Sequence, residues 1–179
     1  MEENGLESAR VRLERPSVMV VIGTLLHPVI AALMILLGGG SLESARVWIY
    51  LIAIFFLLTP ATVALCRSNP ELLNHRGNWK KKKDSKWWDR QLVIPIYGIL
   101  SFYLTPYVVG LELGRLGNGS IGEIFIFPGL VLAVAGAVFL NWSMLVNRHF
   151  EATVRIQTDR GHRIIQSGPY RIVRHPGYF

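Results

Sequence analysis

The chain lacks most of what a soluble enzyme, a redox module or a zinc domain would need. It has one cysteine, Cys66, in 179 residues, which excludes an intrachain disulfide and any cysteine-based metal site. Charged residues make up only 17% of the sequence and they cluster. No internal repeat breaks the chain into units. Three histidines, His149, His162 and His175, lie 13 residues apart with no carboxylate cluster beside them, so no metal site is expected. His27, inside an apolar run, is a single residue with which to ligate a haem. A net charge of +7 would suggest nucleic acid if it covered one soluble face. It sits instead in blocks between apolar runs, so no nucleic-acid partner is expected. Cys66 ends one such run, where it reads as a packing residue or an acylation site.

What the chain has is apolar length. Hydrophobic residues make up 51%, and four segments reach the roughly 20 residues that a membrane helix requires: Ser17–Leu37, Val47–Cys66, Gln91–Leu111 and Ile121–Val146. The first follows Arg10, Arg12 and Arg15, as a signal peptide would. Its apolar stretch is too long for one, and no small-x-small cleavage site follows, so it reads as a retained helix. The expected fold is all-α and integral to a membrane: about four transmembrane helices followed by a cofactor-binding segment.

Charge distribution supports this plan. Of 19 lysines and arginines, 17 fall before the first span, between the second and third, or after the fourth; the alternate loops hold Arg46 and Arg115. Four spans put the rich segments on one side, and the positive-inside rule makes that side cytoplasmic. Residues 1–16 are then a cytoplasmic tail, 17–146 the membrane region with a basic cytoplasmic loop at 67–90, and 147–179 a partial cofactor-binding segment. Prolines at 28, 60, 95, 106 and 128 predict kinks, which membrane helices tolerate where neighbours satisfy the freed carbonyls. Such kinks either open a lipid-accessible cleft or are ordinary membrane-helix composition.

The basic loop reads RSNPELLNHRGNWKKKKDSKWWDR. Asn69-Pro70 starts a turn, and Glu71 to His75 suits a short interfacial helix. Lysines at an anionic leaflet contribute about 1 kcal/mol each, and tryptophans favour the headgroup layer. The loop is thus a topology determinant and anchor, or a grip for an anionic headgroup.

Polarity returns at the end of the fourth span with Asn141, Trp142, Ser143 and Asn147. Phe150, Val154 and Gln157 continue a rough helical spacing, which predicts a helix running past the membrane boundary. Asn141 and Ser143 read as site residues or as helix–helix hydrogen-bonding residues. Beyond them Thr158-Asp159-Arg160-Gly161, Gly168-Pro169-Tyr170 and His175-Pro176-Gly177-Tyr178 each mark a turn. Two X-Pro steps hold the backbone between them away from α geometry. Tyr170 and Tyr178 offer aromatic faces; His162, Arg163, Arg171, Arg174 and His175 offer donors to anions. This inventory suits a nucleoside bearing a carboxylate or phosphate, or equally a basic tail bound to lipid headgroups.

The run GHRIIQSGPYRIVRHPGYF, preceded by VRIQ, resembles the isoprenylcysteine carboxyl methyltransferase family and its phospholipid N-methyltransferase relatives. The resemblance is close over about the last fifth of the chain, with the four helices and SNPELL fitting more loosely. It implies a membrane enzyme using S-adenosylmethionine to methylate a lipid-borne acceptor, such as the carboxylate of a prenylated cysteine. By that resemblance Gln157, the stretch His162, Arg163, Ile164 and Ile165, Tyr170, and His175, Pro176, Gly177 and Tyr178 contact the cofactor, with Arg171 and Arg174 carried over more weakly. Catalytic residues are not assigned. Family members continue past this tyrosine with more membrane helix and a later segment rich in arginine and glutamate. The resemblance therefore implies a truncated form of the protein.

A carboxylate acceptor is ionised at neutral pH and needs no base, whereas an amine must first lose a proton. No base stands out in the sequence, which favours carboxyl over amine methylation. A membrane sterol reductase using a nicotinamide nucleotide and a non-catalytic membrane subunit are the competing readings. The truncation reading predicts weak binding of S-adenosylmethionine and little turnover; tight binding in a calorimetric titration would defeat it.

Overall fold

A chain in hydrocarbon must satisfy its own backbone donors and acceptors, and a helix does so within one segment. The computed structural model, which describes residues 11–82, 84–115, 123–155, 157, 160, 161 and 163–178, follows this rule. Its elements are α1 (Arg15–Gly38), α2 (Ala45–Ser68), the short α3 (Pro70–Gly77), α4 (Asp89–Gly114) and α5 (Ile126–Val146). All but α3 are long and apolar enough to cross a membrane, and no strand occurs among the described residues.

Proline chemistry shapes α4. Asp89–Val93 and Leu100–Leu104 are π turns, and each is followed two residues later by a proline, Pro95 or Pro106. A proline ring clashes with the carbonyl four residues back and donates no N–H to it. Those carbonyls belong to Gln91 and Phe102, inside the two widened turns. Leu100 O accepts both Thr105 N, closing the wide turn, and Thr105 Oγ1 at 2.8 Å. The kinks expected from sequence take the form of π turns here.

The end of α1 packs against the end of α4 by close backbone approach. A Cβ on Gly110 would run into Ile35 O, one on Gly114 into Gly39 O, and one on Gly38 would lie 2.5 Å from Tyr107 O. Gly110 and Gly114 form the small-xxx-small spacing that lets membrane helices touch. Gly39, at φ +98°, ends α1 in the left-handed conformation. Gly39 N donates to Leu36 O there, and Gly40 N to Ile35 O, both at 3.0 Å. Ala31, Ile35, Val47 and Leu51 form a buried cluster at this end.

A second cluster, Leu65, Leu72, Leu73 and Met144, lies at the opposite ends of the helices. It seats α3, whose Asn69 N-cap accepts from Leu72 N at 3.1 Å. Asn74 then ties down the start of the described chain: Glu14 N donates to its Oδ1, and its Nδ2 donates to Arg12 O, both at 2.9 Å. The N-terminal segment, the basic loop and the C-terminal segment thus gather on one face, as the charge count required.

Two expectations need correcting. The fourth span does not continue to Gln157; it stops at Val146, because Asn147 turns extended (φ −107°, ψ 99°) and its Oδ1 accepts from His149 N at 2.8 Å. Asn141 and Ser143 bond within their own helix, to Ala137 O and Phe139 O, both at 2.7 Å, an i−4 habit of such side chains. They do not bridge helices.

Gly110→Ala is expected to destabilise the protein by about 1–3 kcal/mol through overpacking. Gly136→Ala, whose Cβ would meet nothing within 4 Å, should leave thermal unfolding in detergent essentially unchanged.

Candidate functional site

The C-terminal segment begins where α5 ends and is bound first to itself. Asn147 Nδ2 donates to the Tyr170 hydroxyl at 2.6 Å. Burial raises the Tyr170 pKa, against which the Asn147 bond acts. Gln157 is buried, and its polar atoms are spent: Nε2 donates to His149 O at 2.7 Å, and Oε1 accepts from Arg160 Nη1 at 2.9 Å and faces His149 Nδ1 at 3.3 Å. These bonds make a closed loop from 147 to 160. Its sequence carries the amide and ring donors that a non-helical backbone needs.

The loop is then joined to the basic loop through one carboxylate. Glu151, its side chain only 1% exposed, takes Arg155 Nε at 2.9 Å, with Lys82 Nζ and Arg160 Nη1 at 3.4 Å. Arg160 reaches on to Glu71 at 3.0 Å and Arg155 to Asp84 at 2.7 Å. Burial would raise the Glu151 pKa, but the Arg155 hydrogen bonds and the charges of Lys82, Arg155 and His75 outweigh it, and the net shift is downward. His75 lies 3.5 Å from both Glu71 and Glu151. Lys82 Nζ, which can only donate, lies 2.6 Å from His75 Nδ1, so Nδ1 is the accepting nitrogen of a neutral ring. Burial first, then Arg160 and Lys82, lower the His75 pKa. The four-lysine run therefore does not act as a uniform basic patch: Lys82 turns inward while Lys80 stays exposed over Trp79.

Beyond the cluster the chain opens. Gly161 and Gly168 adopt φ +56° and +57°, the left-handed region that glycine reaches readily. Residues 163–166 run without regular structure, with Arg163 and Ile164 exposed and Ile165 half-buried. Gly168–Arg171 and Pro176–Tyr178 form two short 3-10 turns, each entered through a proline. Pro169 and Pro176 are fully buried and fix the turns against the helices. His175 and Gly177 are exposed, as are Arg171 and Arg174. Among the expected contact residues, Arg163, Ile164, His175 and Gly177 are thus exposed, whereas Gln157 and Pro176 are buried and Tyr170 is half-buried. His162, Thr158, Asp159 and Phe179 lie outside the described residues, and the Tyr178 side chain is likewise not described. No group of three or more metal-type ligands occurs among the described residues.

Residues 129–179 match the isoprenylcysteine carboxyl methyltransferase (ICMT) family. The resemblance read from the SGPY and RHPGY motifs is borne out by this match. The chain is also 36% identical, over 84 residues, to the probable protein-S-isoprenylcysteine O-methyltransferases of Oryza sativa subsp. indica and subsp. japonica. Each alignment covers 40% of this chain and 43% of the relative, so the chain is matched to less than half the length of these proteins. No solved structure matches it significantly.

Sequence reasoning passed over Glu151, Glu71, Asp84 and Arg76. Glu151 carried a signal that could have been used. It is the acidic residue closest after the fourth span in a segment otherwise dominated by arginine, and an isolated carboxylate among cations at a membrane edge is a natural ion-pair centre.

The pH dependence follows from the shifts. His75, with its folded pKa below the unfolded value of about 6.5, binds its proton more weakly when folded, so stability falls as pH drops below about 6.5. Glu71 and Glu151, both lowered, contribute stability that is present above about pH 4.3 and lost as pH falls through their folded values. The thermal unfolding temperature should therefore fall from pH 7 to pH 5, and His75→Gln should flatten that part of the profile. Glu151→Gln should cost about 3–5 kcal/mol by stranding buried cations, measured by thermal unfolding in nanodiscs.

Proposed function

We propose that this protein is an S-adenosylmethionine-dependent methyltransferase acting on a membrane-borne carboxylate, of the kind carried by a prenylated cysteine. The observation that carries the reading is the family match over 129–179. It coincides with a segment that is folded back on itself and presents Arg163, Ile164, His175 and Gly177 outward. The relatives' names point to the same acceptor.

The donor chemistry fits such a cofactor. Exposed Arg163 and His175 suit its carboxylate, exposed Ile164 and half-buried Ile165 suit an adenine face, and an irregular backbone at 163–166 offers amides and carbonyls. His162 and Tyr178 join this set by the resemblance alone. Gln157, Tyr170 and Pro176 support the segment through their own bonds and burial. When bound, S-adenosylmethionine supplies an electrophilic methyl group. The chain's part is to orient the acceptor nearly in line with it and to exclude water.

A carboxylate acceptor suits the histidines described. The His75 ring receives Lys82, and His149 is engaged by Gln157 through Nδ1 and by Arg148 through Nε2. His175, the exposed ring of the second motif turn, serves the cofactor's carboxylate in this reading, so an amine acceptor would have to draw its base from a residue already in use. By the positive-inside rule, the face carrying the site is cytoplasmic, in a multi-pass protein whose N-terminus lies on the same side.

Calorimetry on the purified protein in nanodiscs should show selective binding of S-adenosylmethionine and none of NADPH. His175→Ala should weaken that binding about tenfold, the equivalent of one good hydrogen bond. Binding of NADPH in its place would turn the assignment to a reductase.

A further inference from the structure

The ion pairs around Glu151 close on themselves. Lys82, Arg155 and Arg160 are matched by Glu71, Asp84 and Glu151, and His75 is neutral. Arg76, the next residue on α3, is not part of this balance. Its Nη1 donates to Phe150 O at 3.0 Å, and its guanidinium carbon lies 5.9 Å from the centre of the Phe150 ring. No carboxylate among the described residues pairs with it. Among the described residues Arg90 also has no carboxylate partner, but it is tied to Lys82 O at 3.0 Å, within the basic loop rather than at the motif segment.

The location of Arg76 gives that charge a use. The Phe150 ring also meets the second motif turn: a Cβ on Gly177 would lie 2.8 Å from Phe150 Cζ. Arg76, Phe150 and the His175–Tyr178 turn therefore form one packed unit. α3 itself sits on the cluster of Leu65, Leu72, Leu73 and Met144 at the ends of the membrane helices, the depth at which the polar end of a lipid-anchored molecule leaves the hydrocarbon. Val93, Ile96 and Tyr97 on α4 are exposed apolar and aromatic residues. Burial lowers the Arg76 pKa, with Tyr97 acting the other way, and the side chain is half-buried.

We infer that Arg76 binds the carboxylate of the membrane-borne acceptor beside the His175–Tyr178 turn, and so sets the preference for an acidic acceptor over a neutral one. The inference rests on the methyltransferase reading for the identity of that acceptor. A guanidinium matches a carboxylate with two parallel N–H···O bonds, and one donor is already held in place by Phe150 O, which fixes the plane of the group. Neutralising the half-buried cation is what the acid supplies and its ester does not.

The test uses N-acetyl-S-farnesylcysteine and its methyl ester as probes, with the whole protein in phosphatidylcholine nanodiscs. The wild type should bind the acid about tenfold more tightly than the ester. Arg76→Met should remove that preference and Arg76→Lys should keep part of it, with S-adenosylmethionine binding unchanged in both. A preference that survives in Arg76→Met overturns the inference. So does loss of S-adenosylmethionine binding together with the preference in Arg76→Lys, which would make the residue a support of the fold. Replacing the lipid with phosphatidylglycerol should leave the preference intact; its disappearance there would assign the site to lipid phosphate instead. Failure of the wild type to bind S-adenosylmethionine while it still prefers the acid would sink the methyltransferase reading and leave the carboxylate site standing.

Discussion

A carboxylate with 1% of its side chain exposed joins the two polar halves of this protein. Glu151 gathers Lys82 from the basic loop and Arg155 and Arg160 from the C-terminal segment. Without that charge three cations would face one another at a membrane edge. With it, neighbouring carboxylates complete a neutral cluster, and the motif turns acquire a fixed relation to α3. What is proposed for the site depends on that relation: exposed Arg163 and His175, and the packed unit that carries Arg76, stand on the segment it anchors. Interactions of this kind are costly to disrupt because the remaining charges stay buried.

Much of the architecture was legible because membranes impose few solutions. The length of an apolar run and the side on which cations fall are read directly, and the four spans and shared polar face follow from those two quantities. Local turn chemistry was legible as well: Asn69-Pro70 does cap a helix, and Gly161 does turn with positive φ. The extension of the fourth helix misread one residue. Asn147 has the side chain to satisfy the backbone two residues on, and such an asparagine competes with helix rather than continuing it.

The candidate site was legible as composition but not as arrangement. Motif order picked out Gln157 and Tyr170, and nothing in their spacing says that their polar atoms bond inward to His149 and Asn147. The difference between Lys82 and Lys80 is similarly invisible in a run of four lysines, because it arises from a carboxylate 69 positions away. Long-range pairing decides which charges face solvent, and no local pattern records it.

The two π turns of α4 have a geometric corollary. Each widened turn accommodates extra residue length within the helix, so the sides of α4 before and after Leu100–Leu104 do not lie in the phase of an ideal helix of about 3.6 residues per turn. A helical wheel drawn through all of 89–114 will assign the lipid and protein sides wrongly over part of its length. Labelling, cross-linking or tryptophan-scanning patterns along this span should be interpreted in separately phased pieces, with Pro95 and Pro106 marking the joins.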